Sequence, residues 1–170
     1  MESTTLKRLK NPKVDQFSYF LAKFFFSILT CTELYYFSAF LTDTALFSLA
    51  VIGLIQTATT VIDTIFSFFY GALMEKIGAL MPWGSTRSWL LVGPPIATLF
   101  FVFTFVRVSD NEMVSAIIII VAFAISHVVW SINECANNAL SVLMTDDLDE
   151  RAAMSINLGR GTMGSSLVFG

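Results

Sequence analysis

The stretch that decides the fold runs from Gln56-Thr57-Ala58-Thr59-Thr60-Val61-Ile62-Asp63 through Thr64-Ile65-Phe66-Ser67 to Gly71-Ala72-Leu73-Met74-Glu75-Lys76-Ile77-Gly78. It closes on Trp83-Gly84-Ser85-Thr86-Arg87-Ser88-Trp89. Its first half is apolar but carries Gln56, Thr59, Thr60, Asp63, Ser67 and Gly71 at spacings of three and four, which places them along one face of a helix. The opposite positions are Ile, Val, Leu and Phe. A single polar stripe on an otherwise greasy helix meets protein or water rather than lipid. Asp63 stands in the middle of that stripe, and a carboxylate inside a membrane helix marks either a transport path or a structural pair. The two readings here are a cation or substrate ligand, and a structural partner for a neighbour such as Lys23.

Composition sets the solvent. Of 170 residues, 55% are hydrophobic and 14% charged, and 17 are Phe, whereas a soluble domain carries roughly a quarter charged residues. Apolar runs of about 20 residues cross a hydrocarbon core of roughly 30 Å. The spacing predicts an all-α polytopic membrane protein with spans near 17–41, 45–74, 89–106 and 113–143, and a fifth, incomplete one at 152–170. The run beginning at Phe17 is too long for a leader peptide's apolar core and lacks a small-residue cleavage site, so it reads as a mature helix. A net charge of −3 with no Lys/Arg cluster argues against nucleic acid as a partner. Cys31 and Cys135 both fall in apolar segments and read as unpaired buried thiols.

Outward from the central stretch, residues 1–16 form a basic tail with Lys7, Arg8, Lys10 and Lys13. In the first span Lys23 lies about 9 Å from the start at 1.5 Å per residue. It either snorkels to the headgroups or lines an interior path. Glu33 lies deeper and reads as facing the bundle interior. Glu75–Ser88 reads as a hydrophilic loop, and Pro94-Pro95 as a kink in the third span. The second half of the fourth span is rich in polar groups. Ser126, Trp130, Asn133, Asn137 and Ser141 share one face, and His127, Ser131, Glu134 and Asn138 the next. The Trp and amides suit a polar ligand. The lone His127 reads first as structural and second as a proton carrier. After the acidic turn Asp146–Arg151, the small residues Gly159, Gly161, Gly164, Ser165 and Ser166 permit close helix approach, with Arg160 among them. Lys and Arg concentrate in the tail, the 75–88 loop and beside Arg151. The opposite side holds Arg107 alone, which places the amino terminus in the cytoplasm of a cell-membrane protein.

The run Gly71 to Gly78 resembles the loop motif of the major facilitator superfamily (Gly, x, Leu, x, acid, base, x, Gly), with Glu75 and Lys76 as the acid and base. The Trp83-Gly84-x-x-Arg87-x-Trp89 that follows is similar to the W-G-x-x-R-P-W of the glycoside–pentoside–hexuronide:cation symporters, the group of melibiose permease, with Ser88 in place of Pro. Thr42-Asp43, Asn133 and Met144–Arg151 match in the same order and spacing. The resemblance implies the first four to five helices of a twelve-helix facilitator bundle, whose missing carboxyl-terminal half would supply the other cavity wall. It implies symport of a sugar or glycoside with Na+ or H+ by alternating access, and no other cofactor. It puts Asp63 and Ser67 at the cation site. It puts Lys23, Asn133 and Arg160 at the solute, joined by Trp130 and Asn137 from the residue reading. It makes Gly71, Glu75, Lys76, Gly78 and Arg87 a gating loop. Phe24 replaces a sugar-binding carboxylate and Ser67 a second cation-binding one. The alternatives are an uncoupled facilitator, a non-transporting scaffold or inactive fragment, and a membrane enzyme. The last has no catalytic or metal-binding motif to support it.

Overall fold

The computed structural model describes residues 9–82 and 84–169; Lys7 and Arg8 of the basic tail, Trp83 of the loop motif and the final Gly170 lie outside them. The described chain is helical: α1 Pro12–Ala39, a π-helical turn Phe40–Thr44, α2 Leu49–Ser67, α3 Tyr70–Gly78, α4 Ser85–Thr104, α5 Glu112–Met144 and α6 Leu148–Phe169. Among the described residues, four segments are long and apolar enough to cross a bilayer: Pro12–Thr44, Leu49–Ser67, Ser85–Thr104 and Glu112–Met144. Large apolar side chains such as Phe25, Leu34, Leu49, Phe68, Leu99 and Val102 lie on the outside. In water that surface would aggregate, but in lipid it is the expected exterior.

The first helix starts at Pro12, within the expected tail, rather than at Phe17, because Pro suits a helix's first turn, and α2 starts at Leu49 rather than Ala45; three further differences in helix bounds each have a local cause. The second span is not continuous to residue 74; it breaks at Phe68-Phe69. There Ser67 Oγ donates to the Thr64 carbonyl at 2.7 Å and Phe69 N–H to the Phe66 carbonyl at 2.8 Å, tightening the last turn in the way hydroxyl back-bonding does. The 75–88 segment is mostly not loop, because α3 runs on to Gly78 and α4 already starts at Ser85. Gly84, at φ 82°, makes the sharp entry into α4, a conformation costly for a residue with a Cβ. The last helix begins at Leu148 rather than Ala152 because Asp147 caps it: its Oδ1 accepts the N–H groups of Asp149 at 2.9 Å and Glu150 at 3.3 Å, an N-cap contact with the second and third helical residues. Across Pro94-Pro95 α4 continues unbroken from Ser85 to Thr104.

The chain divides into two compact units. One comprises the described residues up to Phe37 together with those from Ala139. Its core joins Leu9, Tyr19 and Met154 with Leu140, Met144 and Leu158. Here α1 and α6 meet closely: a Cβ on Gly161 would stand 2.8 Å from the Phe20 carbonyl oxygen, and one on Gly164 3.2 Å from the Phe24 ring. Cys31 Sγ lies 3.8 Å from the Ser165 hydroxyl. The α5–α6 turn is tied as well, with Glu150 accepting from Thr145 Oγ1 and from Leu9 N–H at 3.1 Å.

The other unit is Ser38–Asn138, with a core of Tyr70, Trp89, Ile132 and Ala136. In it α4 and α5 pack through small and polar residues. Ser126 Oγ donates to the Ala97 carbonyl at 3.0 Å, and a Cβ on Gly93 would lie 3.1 Å from Asn133 Oδ1. Close approach through Gly, Ala and Ser is how helices associate where burial of apolar surface gives no advantage over lipid. At the other end Arg107 fans onto the carbonyls of Ala45, Ser109 and Asp110 and lies 5.3 Å from the Phe47 ring centre. Asn111 caps α5 through the Met113 N–H at 3.0 Å.

Candidate functional site

The polar stripe of α2 is less available than its spacing suggests. Thr59 and Thr60 both donate to the Gln56 carbonyl, at 3.0 and 2.8 Å. Thr64 donates to Thr60 O at 2.8 Å, and Ser67 is committed to Thr64 O as described. These hydroxyls satisfy themselves on their own helix, as mid-helix Ser and Thr commonly do. Two stripe residues reach beyond α2: Gln56 Nε2 donates to Ser38 Oγ at 3.1 Å, and Asp63.

Asp63 has two partners, and both sit on Oδ1. The Tyr70 hydroxyl donates to it at 2.7 Å, and His127 Nδ1 lies 2.9 Å away. Tyr70 is the first residue of α3, just past the break. His127 comes from the middle of α5 and stacks on Phe123 with ring centres 4.7 Å apart. Ser131 lies one turn further along α5, on the Tyr70 side of the site. An ionised Asp63 accepts only, so the imidazole must hold its proton on Nδ1 and donate it. The Asp63 side chain is 42% accessible and that of His127 25%, so the carboxylate is held but not sealed. Its Oδ2 takes no hydrogen bond among the described residues.

The residues expected at a solute site are spread over both units. In the 38–138 unit Asn133 and Asn137 are buried, and Asn133 Oδ1 has no hydrogen-bond partner among the described residues. The Ser126/Asn133 side of the α5 stripe is therefore turned into the seam with α4. Trp130 is half-buried on the same helix. In the other unit Lys23 holds its ammonium 5.6 Å from the Phe26 ring centre, and its Cβ would be 3.0 Å from a Cβ at Gly161. Arg160 is exposed.

The loop motif serves as a clasp. The Met74 carbonyl accepts Ser85 Oγ at 2.7 Å and Trp89 Nε1 at 3.1 Å. Gly78 is required because a Cβ there would come within 2.6 Å of Ser85 Cα. Glu75, Lys76 and Arg87 are exposed, and Gly71 has open space where a Cβ would go.

Sequence reasoning had singled out Asp63 but neither of these two partners for it. Nothing in the sequence marks out Tyr70, and His127 stands on the α5 face adjacent to that of Trp130 and Asn133. The available signal was chemical: one carboxylate and one histidine, each on a polar face of a membrane helix, have strong reason to find each other.

The described residues thus join membrane-spanning helices with one carboxylate held by Tyr70 and His127 and a loop clasped at Gly78. The chain belongs to the MFS/sugar transport protein family, whose model matches residues 18–169, the family its loop motifs resemble. This is a family of transporters and not of enzymes, and the protein is a multi-pass membrane protein. No curated protein and no solved structure gave a match.

Proposed function

We propose that this chain forms part of a secondary carrier for a sugar or glycoside, coupled to a cation and working by alternating access. The observation that carries the coupling is Asp63: a carboxylate within a span, fixed by two donors on one oxygen, its side chain partly accessible. Such a group is costly to retain in a membrane without a role or a counter-charge. Lys23, Trp130, Asn133, Asn137 and Arg160 are the proposed solute contacts. Because Asn133 is buried against Gly93, contact with solute requires α4 and α5 to part, a motion of the kind alternating access supplies. Ser67 beside Asp63, and the Gly71–Gly78 clasp with Arg87, complete the proposed coupling and gating elements. The amino terminus lies in the cytoplasm on the distribution of Lys and Arg.

The test is uptake of a panel of labelled sugars and glycosides by cells expressing the gene, with and without sodium and proton gradients. Gradient-driven accumulation is expected, and Asp63→Asn is expected to abolish it. Uptake indifferent to both gradients would make the protein a facilitator and Asp63 a structural partner. No uptake, with the protein verified in the membrane, would refute the carrier.

A further inference from the structure

We infer that His127 fixes the coupling ion as a proton, carried by the Asp63–His127 pair. This rests on the carrier reading above and narrows it.

Three observations lead there. First, the groups that meet Asp63 are an N–H and an O–H. Both aim hydrogen at Oδ1, His127 from 2.9 Å and Tyr70 from 2.7 Å. A hard metal cation is held by several oxygen lone pairs, and these neighbours present positive ends instead. Second, the hydroxyls one turn to either side of Asp63 on the same face of α2 are turned to their own helix, Thr59 and Thr60 to Gln56 O at 3.0 and 2.8 Å and Ser67 to Thr64 O at 2.7 Å. Among the described residues no group of three His, Cys, Asp or Glu side chains is placed to hold a metal ion. Third, the pair has a proton-binding state of its own. With neutral imidazole it carries a net charge of −1. Taking one proton from the aqueous side makes it neutral, as carboxylate with imidazolium or as carboxylic acid with imidazole. The same proton leaves to the other side after the carrier turns. No other species is consumed. Neutralising the pair removes a net charge from a site inside a membrane-spanning segment, so proton binding itself favours the transition.

The other ionisable groups in this unit near the pair are Tyr70 on α3 and, about two turns along α5 from His127, Glu134 and Cys135. Tyr70 donates its hydroxyl to the pair.

The experiment follows pH in a weakly buffered, sodium-free suspension of cells expressing the gene, on addition of whichever panel sugar they accumulate. Alkalinisation of the medium that is unaffected by added sodium is expected. His127→Gln keeps a donor for Asp63 but cannot hold the extra proton. It is expected to lose accumulation and alkalinisation while downhill entry continues, and His127→Asn is expected to behave alike. In the purified protein in liposomes, the infrared carboxyl band assigned by its absence in Asp63→Asn should titrate at a different pH in His127→Gln, a readout that does not depend on transport. Sodium-driven uptake without proton movement overturns the inference and leaves the carrier standing. So does proton-coupled uptake, or a carboxyl titration, that is unchanged without His127. Absence of any uptake overturns both.

Discussion

At the scale of single residues, identity and placement part company. Asp63 was legible because a carboxylate among Ile, Val and Phe is conspicuous. Its imidazole partner is 64 positions away, on α5, and only the fold joins them. Ser67 shares the face of Asp63, yet its hydroxyl bonds its own helix, which spacing cannot foretell. The glycines divide the same way. Gly53 and Gly78 look equivalent in sequence, but a Cβ at Gly53 meets nothing within 4 Å, whereas one at Gly78 meets the Ser85 backbone at 2.6 Å. Gly78→Ala should therefore destabilise by about 1–3 kcal/mol, the usual cost of overpacking, and lower the thermal midpoint in detergent. Gly53→Ala should leave that midpoint unchanged or raise it, since Ala is the better helix former. Equal effects at the two positions would show that the α3–α4 approach is not tight.

At the scale of elements, the number and order of the membrane helices could be read from hydropathy, while their ends could not. Ends are set by particular contacts: Gly84's positive φ, the Asn111 and Asp147 caps, and the turn at Phe68-Phe69. The clasp between α3 and α4 shows what such contacts do. One backbone oxygen, that of Met74, holds both Ser85 and Trp89. Trp89→Phe removes the indole N–H and keeps most of the ring in the core. It should cost about 1 kcal/mol, the net value of a typical hydrogen bond, and Ser85→Ala about as much. The double variant should lose more than either alone in the same thermal assay. If neither single change moves the midpoint, the clasp contributes nothing to stability. The α5 stripe teaches a related point. Its spacing is regular and its polar residues are real, but the Ser126/Asn133 side is used to pack α4, so a polar face on a membrane helix is as apt to be an interhelical seam as a cavity wall.

At the scale of the whole molecule, the all-helical membrane class and the family were both legible, since mean hydropathy and the Gly71–Trp89 motifs are properties of the string itself. The path through the molecule was not, because it depends on which faces meet. Topology is directly measurable. In a background lacking Cys31 and Cys135, a membrane-impermeant thiol reagent applied to intact cells should label Asp110→Cys and spare Leu80→Cys until the membrane is opened. The reverse pattern would invert the proposed orientation and place the amino terminus outside. One contact also has a mechanical side. Tyr70 is at once a donor to the Asp63 carboxylate and the first residue beyond the break between α2 and α3, and α3 in turn is fastened to α4 through the Met74 carbonyl. A change of charge on that carboxylate alters the pull on Tyr70, and so acts as a torque across a joint whose far arm is already bolted to the next helix. An event the size of one hydrogen ion thereby has a lever the length of a helix to work with.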